Sequence, residues 1–285
     1  MKKIISRMGL NMYSGVMIIA MIFISGMISG AMATGLEDFA GEKGTIRISG
    51  GTAHIPVLKE VARRIMTNNS NIQISIAGGG SGVGIIQVGE GLVDIGNTGR
   101  KPTDEEVEKY ALKMFKWAID GVGVVVNPKN NVQSMTKVQL GDIFSGKISN
   151  WKALGGQDKS INVYTRDRAS GTRDVFWKKA LNKAEITPGA NIVVSNGAMK
   201  TAVSNDPYGI GYVSVGYIDS SVSPVSLDGV VPTLQTVREG TYTVSRGLYS
   251  NTKGVPTGLI EKFIDYLFSA DGQKIVSDKG FVPVK

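Results

Sequence analysis

The stretch TIRISGGTAHIPVLKEVARRIMT, residues 45–67, contains a β-rich run, a glycine-rich turn and a helical pattern in direct succession. Alternating β-branched residues favour a strand over residues 45–49. Leu58, Val61 and Ile65 share one face of a helix over residues 56–67. A strand that leads straight into a helix is the repeating unit of α/β folds, so the stretch predicts such a fold.

The same alternation continues along the chain, and the composition turns polar at residues 127–128. We therefore expect two α/β lobes of mostly parallel sheets flanked by helices, with the ligand cleft between the lobes. Further strands are predicted at residues 71–77, 93–97, 122–126, 161–164, 192–194, 210–214 and 247–250. Further helices are predicted over residues 103–117 (capping box Thr103 and Glu106), after the capping box of Thr136 and Gln139, and over residues 174–181 and 257–269.

The composition excludes several classes of function. The chain has 285 residues, no cysteine and a single histidine, His54, which is expected to be an ordinary surface or packing residue. Disulfides, thiol catalysis, cysteine-ligated zinc and histidine-rich metal sites are therefore excluded. The 37 glycines are about twice the usual share of about 7%. Glycine lets backbone N–H groups approach a ligand closely, which is a first indication of function.

Residues 1–33 have the three parts of a secretory signal peptide. Two lysines and an arginine are followed by an apolar run near residues 16–28 and by A-M-A at residues 31–33. Cleavage would leave a mature chain that starts at Thr34, and its formal net charge would fall from +8 to +5. We expect a protein secreted across the cytoplasmic membrane, in the periplasm or at the cell surface, where an uncleaved leader would serve as a membrane tether.

Four predicted strand-to-helix turns carry glycine and hydroxyl side chains. They are S-G-G-T at residues 49–52, G-G-G-S-G-V-G at 78–84, N-T-G-R at 97–100 and R-D-R-A-S-G-T at 166–172. A helix N-terminus has about four unpaired N–H groups and roughly half a positive charge, so it readily binds an oxyanion. Arg166 adds a planar fork for two anion oxygens. Neither a dinucleotide fingerprint nor a nucleotide P-loop occurs, so the pattern favours a small tetrahedral anion.

In their order and spacing, these motifs resemble the periplasmic phosphate-binding proteins of Pst-type ABC transporters, which have the type II solute-binding fold. The resemblance covers residues 44–284. It rests on the motifs at residues 49–52, 78–85 and 93–96, on L-G-D-I-F-S-G-K-I-S-N-W at 140–151, and on those at 166–174, 209–214 and 272–276.

The resemblance implies both the site and the function. Two lobes would close on inorganic phosphate, which would then pass to the membrane permease and ATPase subunits of an ABC importer. We expect a monomer without catalytic activity, cofactor or nucleic-acid partner. The lobes are predicted as residues 34–126 plus 218–285, and residues 127–217. The implied phosphate-binding residues are Thr52, Ala53, Ser81, Arg166, Ser170, Gly171 and Thr172.

One departure from the family concerns the turn after the third strand. Some members place an aspartate there, which accepts the proton of hydrogen phosphate and repels fully ionised oxyanions. Residues 97–100 contain no acid. A site with donors only favours any tetrahedral dianion, whereas an acceptor for the proton would reject sulfate. Short-form members also lack the aspartate, so phosphate is still the predicted ligand, and Thr98 and Arg100 are weaker candidates for contacting it.

Two alternative functions stay open at this point. The chain would bind sulfate, tungstate or molybdate if its donors do not select for phosphate. It would be a secreted phosphohydrolase if Ser170 or Thr52 acted as a nucleophile with His54 or Asp174 as the base.

Overall fold

A computed structural model describes residues 35–284 of the chain. The signal peptide predicted for residues 1–33 lies outside the described residues. Within residues 35–284, no helix is long and apolar enough to cross a membrane. The strands are β1 (Gly44–Gly50), β2 (Ile72–Gly79), β3 (Ile95–Thr98), β4 (Leu112–Val126), β5 (Ser134–Met135), β6 (Asn162–Arg166), β7 (Asn191–Val193), β8 (Gly209–Ser214), β9 (Ser223–Leu227), β10 (Ser245–Lys253) and β11 (Val282–Pro283).

The helices lie between the strands in the alternation that the sequence predicts. The α-helices are α1 (Ile55–Asn68), α2 (Ser81–Gly89), α3 (Asp104–Tyr110), α4 (Lys137–Phe144), α5 (Gly171–Lys179), α6 (Asn196–Asn205), α7 (Leu234–Arg238), α8 (Gly258–Phe268) and α9 (Ala270–Asp278). A short 3-10 helix, Thr52–His54, leads from β1 into α1. The predicted capping boxes of Thr103 with Glu106 and of Thr136 with Gln139 are both confirmed.

The strands form one curled sheet whose main path runs β2-β1-β3-β10-β4-β8-β6-β7; β9 and β11 also pair with β4, and β5 pairs with β9. The prediction of mostly parallel sheets is right toward both ends, where β1 runs parallel to β2 and β3, and β6 runs parallel to β7 and β8. At the centre the prediction is wrong, because β10 pairs antiparallel with β3 and β4, and β4 pairs antiparallel with β8. β4 carries the chain from one half of the sheet to the other and β10 carries it back, so the two crossings run in opposite directions.

The helix predicted over residues 103–117 is also wrong in its second half. α3 ends at Tyr110, and Ala111 adopts the left-handed conformation with a φ of 51°. From Leu112 onward the chain is strand β4, which pairs with β10 from Leu112 opposite Lys253 to Gly121 opposite Ser245. The spacing of apolar residues in this segment fits either a helix or a strand. The hydrogen-bonded pairing with β10 stabilises the strand.

Two large hydrophobic clusters support the two halves of the sheet. The first packs α1, α8 and α9 against β1 and the first part of β4, and Trp117 is buried in it. The second surrounds the last part of β4 together with β8, α4 and α5, where Trp151 is buried and Trp177 is partly buried. Residues from both 122–126 and 222–244, which the predicted division assigns to the first lobe, belong to this second cluster.

Candidate anion-binding site

All seven residues predicted to bind the anion line one small cavity. The cavity lies at the ends of β1, β3 and β6, where α2 and α5 begin. It is lined by Gly51, Thr52, Ala53, Gly80, Ser81, Gly99, Arg166, Ser170, Gly171, Thr172 and Arg246. The four turns that the sequence singled out thus meet at one cavity, and their glycines at positions 51, 80 and 99 line it as well; Arg246, which lies outside these turns, was not predicted.

The turn after β1 is held tightly against the end of β3. The Gly51 amide donates to Asn97 O at 2.8 Å. A Cβ on Gly50, whose φ is +113°, would collide with Asn97 O and with the Gly84 backbone. Only glycine fits at position 50 without strain. The close approach of the two turns in turn places Thr52 and Ala53 at the cavity, at the start of a 3-10 helix. The first N–H groups of such a helix have no partner inside it and are free for an anion.

Two serine hydroxyls of the cavity each accept a hydrogen bond from the backbone. Ser81 Oγ accepts from the Gly99 amide at 2.9 Å. Ser170 is the N-cap residue of α5, and its Oγ accepts from the Arg173 amide at 3.2 Å. A hydroxyl whose oxygen already accepts a bond still has a proton to donate. Both serines can therefore donate to an anion in the cavity.

The two threonines are arranged in the same way. Thr172 Oγ1 accepts from Arg246 Nη1 at 3.0 Å. Thr52 Oγ1 accepts from both the amide and the side-chain Nδ2 of Asn196, at 3.2 and 3.0 Å. Because both lone pairs of Thr52 Oγ1 are occupied by donors, its proton has to point elsewhere. The cavity thus has four hydroxyl donors, all of them buried.

Arg166 contributes the strongest unsatisfied donors. It ends β6 with 2% of its surface exposed, and its Nη2 donates to Val194 O at 3.0 Å. Its Nε and Nη1 are buried without a hydrogen-bond partner in the described part of the chain. Burial lowers the pKa of Arg166, but an arginine stays protonated in proteins. A buried cation with two free N–H groups in a fixed plane is suited to two oxygens of one anion.

A hydrogen bond from the Arg166 backbone to a buried tyrosine holds the Arg166 backbone in place. The Arg166 amide donates to Tyr212 Oη at 3.0 Å, and the Tyr212 ring stacks on Phe176 with centroids 3.9 Å apart. Tyr212 is fully buried, and burial raises its pKa to about 12. The phenol therefore stays neutral and can accept this bond at physiological pH.

Arg246 is the second cation of the cavity. It lies on β10 and is 7% exposed, and its Nη1 donates to Gly99 O at 3.2 Å as well as to Thr172. Its Nε donates to Asp120 Oδ2 on β4 at 2.9 Å. Residues 120 and 246 are far apart in the sequence and neither lies in a glycine-rich turn, so no local motif pointed to this pair.

The two weaker candidates, Thr98 and Arg100, do not line the cavity. Thr98 is buried, and its Oγ1 accepts from Asn251 Nδ2 at 3.1 Å. Arg100 pairs with Glu106 at 2.6 Å, the residue that also caps α3. No carboxylate is among the described residues that line the cavity, in agreement with the missing acid after β3.

His54 is a packing residue beneath the first turn. Its Nδ1 donates to Gly51 O at 3.0 Å, and its ring contacts Trp117 edge to face with centroids 5.5 Å apart. The side chain is fully buried, and burial, with the nearby charge of Arg246, lowers its pKa from 6.5 to about 3. His54 is therefore neutral over the whole physiological range.

This buried histidine predicts a specific loss of stability in acid. Between pH 6.5 and 3 the unfolded chain binds a proton at His54 that the folded chain does not, so the free energy of unfolding falls as the pH falls. The slope from this one group is about 1.4 kcal/mol per pH unit. In unfolding experiments without phosphate, the stability advantage of the wild type over His54→Asn should shrink at this rate from pH 6 to pH 4. An advantage that stays constant over this range would contradict the assignment.

The geometry does not support the hydrolase alternative. Asp174 forms an ion pair with Lys178, and His54 is bonded to the Gly51 carbonyl beneath the turn. Among the described residues, neither the Asp174 carboxylate nor the His54 ring is hydrogen-bonded to the hydroxyl of Ser170 or Thr52, although a nucleophile needs a base within hydrogen-bond reach. The described residues also contain no cluster of three or more histidines and acids that would hold a metal ion.

Comparisons with known proteins agree with the fold. Residues 39–271 match the family model of a PBP superfamily domain. The phosphate-binding protein PstS of Bacillus subtilis is 40% identical over 244 residues, which are 85% of this chain and 81% of the relative. The chain belongs to the PstS family of phosphate-binding proteins. Another PstS, from Borreliella burgdorferi, is 30% identical over 280 residues, covering 94% of this chain and 99% of the relative.

Solved structures of the PstS family show the same architecture. A substrate-binding protein from Clostridium perfringens, with bound phosphate, is 36% identical with a TM-score of 0.80, covering 85% of this chain and all of that one. An ABC-type phosphate transport receptor from Vibrio cholerae is 31% identical with a TM-score of 0.68, covering 83% and 99%. These similarities confirm the predicted two-lobed type II fold. These relatives are named for binding or transport.

Proposed function

We propose that this chain captures inorganic phosphate in the cavity between Thr52 and Arg166 and delivers it to the membrane permease and ATPase subunits of an ABC importer. The observation that carries the proposal is the buried guanidinium of Arg166, whose two free nitrogens share a cavity with four hydroxyl donors. Although Asp167 lies 3.9 Å from Nη2, the buried Nε and Nη1 donors have no partner among the described residues, and such donors are costly, so the site is suited to an anion that satisfies them. The named phosphate-binding relatives support phosphate as that anion.

Each predicted residue has a part in binding. Arg166 holds two oxygens, and the hydroxyls of Thr52, Ser81, Ser170 and Thr172 donate to the anion from around it. The Ala53 and Gly171 amides donate from the first turns of their helices. All seven residues line the cavity, and this supports the assignment.

We further propose that the two lobes close around phosphate as units. We keep the predicted division into residues 34–126 plus 218–285 and residues 127–217, with one change. The second hydrophobic cluster favours assigning residues 122–126 and 222–244 to the second lobe. The hydrogen bond from Gly82 N to Ala169 O, at 3.0 Å, would then be a contact between the proposed lobes. We propose that the protein works as a monomer outside the cytoplasm, after its leader is cleaved or with the leader as a tether.

Isothermal titration of the purified, phosphate-free chain tests the function. Phosphate should bind with measurable heat at one site per chain, and sulfate, molybdate and tungstate should bind more weakly. Tighter binding of sulfate than of phosphate would favour the broader oxyanion alternative. In the same preparation, release of nitrophenol from its phosphate monoester that is lost in Ser170→Ala would instead support an enzyme.

A further inference from the structure

A buried aspartate stands behind the anion cavity without lining it. Asp120 lies in β4 with 1% of its surface exposed, and its carboxylate is sandwiched between two residues from other strands. Its Oδ1 accepts from Ser214 Oγ at 2.8 Å, and its Oδ2 accepts from Arg246 Nε at 2.9 Å. Arg246 Nη2 also approaches Oδ2, to 2.8 Å. Asp120 is therefore held on one side by β8 and on the other by the second cation of the cavity.

Arg246 connects Asp120 to both sides of the cavity. Its Nη1 donates to Gly99 O, at the end of β3, and to Thr172 Oγ1, in the first turn of α5. It therefore separates the carboxylate from the anion position. For this reason Asp120 is not placed to accept a proton from hydrogen phosphate, and it does not replace the aspartate missing after β3.

The charges around the cavity explain what Asp120 does instead. Arg166 and Arg246 are two buried cations in one site, and burial together with the like charge of Arg246 lowers the pKa of Arg166. With the cavity empty, the two cations repel each other, and the carboxylate neutralises one of them. With a dianion bound, the same carboxylate opposes the anion. A negative charge that is itself buried, as Asp120 is, is poorly screened by solvent.

We propose that Asp120 is a positioning residue that sets the net charge of the cavity through Arg246, stabilising the empty site and weakening the hold on the bound dianion. The inference rests on the proposed function, since it requires that a dianion such as phosphate binds in the cavity. The two members of the pair are thus expected to act in opposite directions on affinity, while both contribute to the stability of the empty protein. A purely structural ion pair would instead lose affinity when either member is removed.

The test compares phosphate affinity at pH 8 for two neutral, similarly shaped replacements. Asp120→Asn can still accept from Arg246 and pair with Ser214, so we expect it to bind phosphate at least threefold more tightly than the wild type. It should also unfold at a lower temperature without phosphate and show a larger rise in Tm when phosphate is added. Arg246→Gln should bind phosphate at least tenfold more weakly.

A matched control removes the same charge far from the cavity. Asp158 is exposed and pairs with Lys152 just before β6 begins, at the opposite end of that strand from Arg166. Asp158→Asn should bind phosphate within twofold of the wild type. This control separates the effect of the Asp120 charge from the effect of overall net charge.

A double variant keeps the proposal testable if Asp120→Asn does not fold. Asp120→Asn with Arg246→Gln leaves no buried charge in the pair and should bind phosphate at least threefold more tightly than Arg246→Gln alone. Unchanged or weaker binding by Asp120→Asn, or a double variant no better than Arg246→Gln, would overturn the proposal. If the wild type itself does not bind phosphate, the proposed function fails, and the role of Asp120 fails with it.

Discussion

Replacement of Arg166 by alanine is expected to weaken phosphate binding by about a hundredfold. Nε and Nη1 of Arg166 are buried donors without a hydrogen-bond partner among residues 35–284, and each charge-assisted hydrogen bond to an anion is worth roughly 1.5–3 kcal/mol. At the lower end of this range, loss of both bonds costs about 3 kcal/mol, and about 1.4 kcal/mol corresponds to a tenfold change in affinity. Titration calorimetry of the purified variant with phosphate measures the change directly.

Two further variants separate the role of this guanidinium from general effects of charge. Arg166→Lys keeps the cation but loses the planar fork, so its affinity should fall between those of the wild type and the alanine variant. Arg63→Ala removes an exposed cation of α1 that pairs with Glu60, and should bind phosphate within twofold of the wild type. An Arg166→Ala protein with wild-type affinity would exclude Arg166 from the site.

The second large loss of phosphate affinity is expected for Gly171→Ala, which adds a single methyl group at the first residue of α5. A Cβ at this position would overlap Ser81 Oγ on the facing helix α2, and it would lie 3.1 Å from the Gly99 carbonyl carbon. Either Ser81 leaves its place or the two sides of the cavity separate. Overpacking of this kind costs roughly 2–3 kcal/mol, so phosphate affinity should fall by about thirty- to a hundredfold.

Without phosphate the two sides of the cavity can separate and relieve this overlap, so the stability of the phosphate-free Gly171→Ala protein should stay close to the wild-type level. Gly141→Ala is the matched control: it lies within α4, and a Cβ there meets no atom within 4 Å. That control should gain about 0.5–1 kcal/mol of stability and keep its phosphate affinity. Gly171→Ala with unchanged affinity would show that the cavity tolerates the methyl group and that its walls are further apart than in this structure.

The turns that form the proposed site could be predicted from the sequence, because they are encoded locally. Thr52, Ser81 and Ser170 lie in glycine-rich turns between a strand and a helix, and both the turn and its anion-binding capacity can be recognised from a few consecutive residues. The alternating pattern also predicted the α/β architecture, because strand and helix signals follow each other along most of the chain.

What the sequence did not predict depends on contacts between distant segments. The Asp120–Arg246 pair forms only when β4 and β10 become neighbours, and neither residue stands in a recognisable motif. Because of the same pairing, residues 112–117 form a strand where the sequence predicts a helix, and the centre of the sheet is antiparallel. Hydrophobic spacing carries no information about which strand lies opposite, so these features follow only from the assembled sheet.

A crystal structure of the chain grown with phosphate tests the central claim most directly. A tetrahedral ion should lie within hydrogen-bond distance of Arg166 Nε and Nη1 and of the hydroxyls of Thr52, Ser81, Ser170 and Thr172. A well-occupied phosphate elsewhere, with the Arg166 cavity empty or filled by protein side chains, would contradict the account.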